Sequence, residues 1–181
     1  MTALLKTPVQ SIIETERLTL RSLRRSDAGL IDLHAGDERV ARMTTSIPHP
    51  LPPGATEALL ARATDPQRVE DIWALDGSAN GHAELIGLIG LERLDRNQSE
   101  IGYWVAPAFW NTGFATEAVG GLIEANPHGD THVFGTVFQD NPGSARVLML
   151  CGFDYLGDAE AFCVARDALV PTWTYSRKLV P

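Results

Sequence analysis

The sequence contains too little cysteine and too little positive charge for several classes of protein. Its 181 residues include two cysteines, Cys151 and Cys163, which lack the CxxC spacing of metal-binding and redox motifs. The 15 Lys and Arg residues are outnumbered by 23 Asp and Glu residues, which gives a formal net charge of -8. This charge argues against a general affinity for nucleic-acid phosphates, although a negative cleft would attract a cationic partner.

Long apolar runs are absent as well. No stretch approaches the roughly 18 apolar residues that predict a membrane span, and the first residues lack the long apolar segment of a secretion signal. With so little cysteine, the protein is expected to be cytoplasmic and not associated with a membrane. Its 44% of hydrophobic residues can form one core without a disulfide or a structural metal, so we expect a single domain spanning residues 1–181.

Two common phosphate-binding motifs are also missing. The sequence has no GxxxxGK[ST] motif, and no GxGxxG motif follows a predicted strand. The 5 histidines are scattered without the spacing of metal ligands. We therefore expect neither a nucleotide site of these two kinds nor a metal.

Hydrophobic periodicity predicts an α+β fold. The pattern indicates a strand at 16–23, one or two helices over 26–43, an irregular proline-rich segment at 44–54 and a helix at 55–63. Strands then follow at 69–77, 83–94 and 99–106, a helix from 113, a strand at 131–138, a helix at 142–152, and strands at 153–158 and 171–179. Because short polar connections join the three central strands, the sheet is expected to be mixed and not fully parallel.

One junction between a strand and a helix has the composition of an anion site. The stretch NTGFATEA, residues 111–118, follows a predicted strand and opens a helix. Asn111 or Thr112 could cap this helix, and Gly113 permits a sharp turn or a close approach of the backbone. The unpaired N–H groups of a helix start attract phosphates, but the same composition also closes many turns that bind nothing.

Two segments taken together resemble a known family. YWVAPAFWNTGFATEA (103–118) and NPGSARVLMLCGF (141–153) resemble the two central motifs of the GNAT superfamily of N-acetyltransferases, and within it the branch of the RimJ and RimL ribosomal-protein acetyltransferases. The resemblance extends from ETERLTLRSL to WTYSRKL, nearly the whole chain. It implies a mixed, mostly antiparallel central sheet of about seven strands with helices on both faces, and acetyl-CoA as a co-substrate with no metal.

The resemblance also implies which residues hold acetyl-CoA. The segment WNTGFA (110–115) occupies the place of the loop that binds the diphosphate, Val105 lies on the strand that pairs with the pantetheine arm, and Asn141 bonds that arm. The full set implied is Val105, Trp110, Asn111, Thr112, Gly113, Phe114, Ala115, Thr116 and Asn141. Trp110 stands where the superfamily usually has Gln or Arg, and Asn111 replaces the usual Gly of this branch. Because the loop binds through main-chain N–H groups and Asn tolerates left-handed geometry, both departures are compatible with the site.

Acetyl transfer from a thioester to an amine needs a base for the amine and an acid for the departing thiolate. Glu100 is the candidate base, with a solvated edge carboxylate as the structural alternative and a water molecule as the alternative base. Ser144 is the candidate acid, since the resemblance places it near the thioester sulfur, although the segment DNPGS is also a good helix cap. Tyr155 and Tyr175 are the alternative acids, and both are equally typical of strand packing.

The sequence thus predicts an N-acetyltransferase that transfers the acetyl group of acetyl-CoA to a primary amine by direct attack in a ternary complex. The acceptor is either a protein N-terminus or a small molecule, and a homodimer stays open as an alternative to a monomer. A binding module that senses acyl-CoA without turnover is the alternative on the same fold. An unrelated nucleotide-binding enzyme is the third hypothesis.

Overall fold

The computed structural model describes residues 9–180, so residues 1–8 and 181 of the predicted domain lie outside the described residues. The strands are β1 (Ile13–Glu14), β2 (Thr19–Ser22), β3 (Glu70–Asp76), β4 (Gly87–Leu94), β5 (Gln98–Val105), β6 (His132–Phe138), β7 (Asp154–Cys163) and β8 (Ala168–Lys178). The helices are α1 (Ala28–Ala35), α2 (Glu38–Ala41), α3 (Ala55–Thr64), α4 (Phe114–Ala125) and α5 (Pro142–Leu150). The proline-rich segment 44–54 contains no helix or strand, in agreement with its composition.

The strands form one sheet in the order β1-β2-β3-β4-β5-β6-β8-β7. Within residues 9–180, β5 and β6 are the only neighbouring pair that runs parallel, and every other pair is antiparallel. The predicted mixed, mostly antiparallel sheet is therefore confirmed. It has eight strands rather than about seven because the two-residue β1 adds one at the edge, and two residues are too few for periodicity to reveal.

Helices cover both faces of the sheet, as predicted. On one face, Phe114, Ala118, Val119, Leu122 and Ile123 of α4 pack with α5 against alternate residues of the central strands. On the other face, α1 and α3 pack against the intervening residues of the same strands. The central strands are thus buried on both sides, which explains the nearly continuous apolar run at the start of β4.

The longest helix among residues 9–180 is α4, at 12 residues. No helix in this part of the chain combines the length and the apolar character that crossing a bilayer requires.

A buried carboxylate joins the start of β3 to the loop before β6. Asp71 accepts hydrogen bonds from Arg68 Nε at 2.6 Å, Arg93 at 2.9 Å and His128 Nε2 at 2.8 Å, and His128 Nδ1 lies 3.0 Å from Ser99 Oγ. Burial by itself would raise the pKa of Asp71, but the hydrogen bonds from His128 and Arg68 outweigh it and hold this pKa well below its usual range. Asp71 therefore stabilises the fold as a charged group.

We expect Asp71→Asn to lower the free energy of unfolding by about 3 to 5 kcal/mol, since it removes the buried charge that accepts hydrogen bonds from Arg68, Arg93 and His128. The stabilisation is complete above the unfolded pKa of Asp, about 3.9, and is lost as the pH falls through the lowered folded value. Urea unfolding of both proteins at neutral and at acidic pH measures this, and the difference between them should narrow in acid. A difference that stays constant with pH would contradict the assigned charge.

Candidate active site

The centre of the sheet opens where β5 and β6 separate. These parallel strands pair from Gln98 with His132 as far as Ile101 with Gly135. Beyond that point β5 pairs with β4 alone, through Val105, and β6 pairs with β8 alone, through Phe138. A wedge-shaped gap with two facing backbone edges results.

The edge of β5 offers hydrogen-bonding groups to this gap. The N–H of Ala106 donates to Ile86 O at 2.8 Å on the β4 side of the strand. Because backbone groups alternate along a strand, the N–H and C=O groups of Tyr103 and Val105 lie on the opposite edge, toward β6. The Val105 carbonyl accepts from Trp110 Nε1 at 2.7 Å, whereas its N–H faces the gap without a strand partner among residues 9–180.

The loop between β5 and α4 turns through two left-handed residues. Asn111 has φ of 57° and Gly113 has φ of 84°. The predicted side-chain cap by Asn111 or Thr112 is wrong, since Gly113 is the N-cap of α4 and no side chain bonds the helix start. Asn111 is used for the left-handed turn, and the Thr112 hydroxyl bonds the carbonyl of Phe109 instead. The first N–H groups of α4 therefore keep their capacity to bind an anion.

Arg17 braces this loop from the side. Its guanidinium donates to the Thr112 carbonyl at 3.0 Å and pairs with Glu117, in the first turn of α4, at 2.7 Å. It also lies over the Phe114 ring, 4.2 Å from the ring centre. A side chain at Gly113 would meet Arg17 at 3.3 Å, so the space beside the N-cap is narrow.

The remaining predicted cofactor residues surround the same helix start. Trp110 is 43% exposed and Phe114 is buried, and Ala115 and Thr116 form the half-buried first turn of α4. The Cys151 thiol donates a hydrogen bond to the Thr116 carbonyl at 3.4 Å. Because the Phe114 side chain is buried, this residue can face a ligand only through its backbone, as binding by main-chain N–H groups requires.

Asn141 and Ser144 lie across the gap at the start of α5. Asn141 is the N-cap, and its Oδ1 accepts from Ser144 N at 3.3 Å. The Ser144 hydroxyl donates to Tyr103 Oη at 2.9 Å, and Tyr103 Oη donates to the Ser144 carbonyl at 2.9 Å. Burial raises the pKa of Tyr103 well above its ordinary range, so this phenol stays protonated and fixes Ser144 in place.

Sequence reasoning missed Tyr103. It considered Tyr155 and Tyr175, but neither lines the central cavity: Tyr155 is exposed and bonded to Asp158, and Tyr175 is buried in the core. Tyr103 was read only as a strand residue of the motif. Its partner Ser144 is 41 positions away, and no local pattern connects the two.

A cavity of about 880 Å³ extends from the α3 side of the sheet to the start of α5, next to the gap. Three rows of residues lie along this cavity, each row given by direct pairing across β3, β4 and β5, and all of their members except Ala74 line it. The rows are Glu70, Glu92 and Glu100; then Ile72, Gly90 and Gly102; then Ala74, Leu88 and Trp104. An acidic end and an apolar end are thus separated by two glycines.

Glu100 belongs to a central strand of the sheet. It lies inside β5, paired with Glu92 of β4 and Phe134 of β6, and so differs from the solvated edge carboxylate that was the structural alternative. It is half-buried in the cavity wall, one residue before the last β5–β6 pair. Burial raises the pKa of Glu100, a hydrogen bond with Thr136 opposes this rise, and the charge of Glu92 adds to it.

The described residues contain no group of three or more His, Cys, Asp or Glu side chains that could hold a metal ion. Both cysteines, Cys151 and Cys163, are buried and reduced.

Comparisons with known proteins agree with one another. Residues 17–154 match the family model described as acetyltransferase (GNAT) domain. The chain is 29% identical over 174 residues, 91% of this chain and 95% of the relative, to the uncharacterized N-acetyltransferase YoaA of Bacillus subtilis (strain 168).

Two solved structures share the architecture. One is the microcin C7 self-immunity acetyltransferase MccE in complex with acetyl-CoA and AMP, with TM-score 0.78, 15% identity and coverage of 91% and 93% of the two chains. The other is Mycobacterium smegmatis RimJ in complex with CoA-disulfide, with TM-score 0.76, 17% identity and coverage of 93% and 86%. At these identities the likeness establishes the fold.

Proposed function

Since the chain belongs to the acetyltransferase (GNAT) family, we propose that it transfers the acetyl group of acetyl-CoA to a primary amine by direct attack in a ternary complex. The single observation that carries this function is the gap between β5 and β6, which lies between the uncapped start of α4 and the carboxylate of Glu100. The gap thus has an anion site at one end and a candidate base near the other.

The residues fit acetyl-CoA on three counts. The α4 start offers unpaired N–H groups from Gly113 to Thr116 to the diphosphate, within a loop that its left-handed turns keep open. The β5 edge at Val105 offers a free N–H to the pantetheine arm. The side-chain amide nitrogen of Asn141 has no acceptor among residues 9–180 and faces the same cavity. When bound, acetyl-CoA supplies the activated thioester.

Glu100 is the proposed base. It sits beside the point where β5 and β6 part, and the raised pKa brings it closer to that of a base working near neutrality. It would accept one proton from the attacking amine, directly or through water.

Ser144 is the proposed acid. Its hydroxyl lines the cavity and is held by Tyr103, so Tyr103 is a positioning residue for it. A serine is weakly acidic, and its contribution would come from placement beside the leaving sulfur.

The RimJ/RimL branch and a single domain over residues 1–181 belong to the same proposal. The branch is supported by the motifs at 103–118 and 141–153 and by the fold shared with RimJ. The single domain is supported by the one sheet that all described strands join.

A thiol-release assay with acetyl-CoA tests the function against a panel of amino acids, polyamines, aminoglycosides and ribosomal-protein N-terminal peptides. Release of CoA that depends on one of these amines is the expected result. If acetyl-CoA raises the melting temperature while no amine releases CoA, the protein is a sensing module instead.

Gly113→Val should weaken acetyl-CoA binding by at least about tenfold, equivalent to about 1.4 kcal/mol. A β-branched residue is strained at φ of 84° and crowds the narrow space beside Arg17. Calorimetry with acetyl-CoA measures the affinity. The matched control is Gly54→Val, since Gly54 is the left-handed N-cap of α3 with φ of 83° and lies outside the proposed cofactor site. Equal affinities in the two variants would remove the diphosphate cradle from the proposal.

Glu100→Gln should lower kcat by about 100-fold, within the range of general-base contributions. The rising limb of the wild-type profile should lie above the ordinary Glu pKa of about 4.3, because burial raises the pKa of Glu100 and the base works only when ionised. In the variant this limb should disappear from the pH dependence of kcat. An unchanged profile would assign the base to another group.

Ser144→Ala should lower kcat by roughly 10- to 100-fold while the acetyl-CoA dissociation constant changes little, since a general acid acts only on the leaving group. Steady-state kinetics and calorimetry separate these two quantities. Tyr103→Phe, which frees Ser144 but keeps its hydroxyl, should show a smaller loss of kcat than Ser144→Ala. If Ser144→Ala keeps full kcat, Ser144 has no part in the chemistry.

A further inference from the structure

The cavity wall has an unusual arrangement of charge. Glu70, Glu92 and Glu100 lie directly opposite one another on three adjacent strands. Like charges that lie directly opposite one another on neighbouring strands repel, and such pairs destabilise a sheet. Burial and the charge of Glu92 both raise the pKa of Glu70, with burial the larger cause. The fold tolerates this repulsion, and such costs are typical of ligand sites.

No described cation neutralises the row. Within residues 9–180, none of the three glutamates has an ion-pair partner within 4.0 Å. Arg62 of α3 also lines the cavity and lowers the pKa of Glu70 from a distance, and Glu160 of β7 adds a fourth carboxylate. With all of them ionised, the charged lining residues carry three net negative charges.

A second observation on the same cavity points to a ligand. Thr172 of β8 lines the cavity and is fully buried, and its hydroxyl has no hydrogen-bond partner among the described residues. A buried hydroxyl without a partner costs about 1 to 3 kcal/mol, and native proteins rarely leave one unless a ligand or water completes it. Thr172 and the acidic row therefore line one and the same cavity.

We propose that the acceptor is a dicationic amine, in which one amine is acetylated beside Glu100 while a second cationic group binds at Glu70 and Glu92. This inference rests on the proposed acetyl transfer. The acetyl carbon exchanges its bond to sulfur for a bond to the amine nitrogen, and the ammonium group loses two protons in all. Glu100 accepts one before the attack, and the second leaves the nitrogen as the C–S bond breaks and replaces the proton that Ser144 donates to the CoA thiolate. With neighbouring strands about 4.8 Å apart, the two carboxylates that hold the second charge lie about 5 to 10 Å from Glu100.

Two sources supply such a molecule, a free diamine and a peptide with Lys close to its N-terminus. Putrescine is compared with butylamine, which has the same chain and one charge, and an Ala-Lys tetrapeptide is compared with its Ala-norleucine counterpart. We expect kcat/KM to favour the dicationic member of at least one pair by about 10-fold or more, equivalent to about 1.4 kcal/mol. The preference should weaken at high ionic strength, as salt screens a half-exposed charge pair. The favoured pair identifies the source.

Glu92→Gln should raise KM for the dicationic acceptor about 10-fold more than KM for its monocationic partner, and it should leave acetyl-CoA affinity intact. It should also keep or raise the melting temperature, because it removes one of three mutually repelling charges. Glu70→Gln should act in the same direction. The control is Glu57→Gln on the exposed side of α3, which changes the net charge equally outside the cavity lining and should leave the preference intact.

Thr172→Val gives an independent variant with nearly the same shape. It should preserve or raise the melting temperature, since it removes an unpaired buried hydroxyl, and raise KM for the acceptor severalfold. An unchanged KM would separate Thr172 from the acceptor.

The outcomes distinguish this inference from the proposed function. Equal kcat/KM values for monocationic and dicationic amines would refute the dicationic acceptor. A preference for the dicationic amine that persists in both Glu70→Gln and Glu92→Gln would refute it as well. Either result would leave the proposed acetyl transfer unaffected. Lack of turnover with every amine, together with no heat on titration with acetyl-CoA, refutes the proposed function and this inference with it.

Discussion

The separation of β5 from β6 beyond Ile101 and Gly135 is the constraint on which the site depends. A parallel pair normally continues, because each lost pairing leaves backbone polar groups unsatisfied. Here α5 packs against the end of the pairing: its Leu148 lies so close to Gly135 that any side chain at that position would meet it at 2.8 Å. The bonds between Tyr103 and Ser144 then join the two sides of the gap. Packing of one helix therefore creates the edge that a ligand can pair with.

Carboxylates that stabilise the fold and carboxylates that line the cavity differ in whether they form ion pairs. Away from the cavity, the buried carboxylates Asp27, Asp71 and Asp76 form ion pairs with arginines. Inside the cavity, Glu70, Glu92 and Glu100 lie opposite one another, and none of them has an ion-pair partner among residues 9–180. The paired networks join β2 to β3 and hold the start of β3, the strand that carries Glu70.

Particular residues show which features of the site the sequence could predict. Asn111 and Gly113 indicated a loop that needs left-handed backbone, and both adopt it because few other residues do so without strain. The helix cap at Asn111 or Thr112 was wrong for the same reason, since a residue committed to the turn cannot also cap the helix. Glu100 was identified within a predicted strand, but its neighbours Glu92 and Phe134 could not be, because they lie on adjacent strands and depend on the register of the sheet.

Composition, periodicity and the two motifs by themselves determined the α+β class, the order of all elements except the two-residue β1, and the position of the turn between β5 and α4. These depend on local backbone preference, which neighbouring residues encode. Only the tertiary structure decided the rest: the pairing of Tyr103 with Ser144, the row of glutamates and the burial of a Thr172 hydroxyl that has no hydrogen-bond partner among residues 9–180. Each of these joins residues far apart in the chain, and strand register, which sets such contacts, is fixed by packing across the whole sheet.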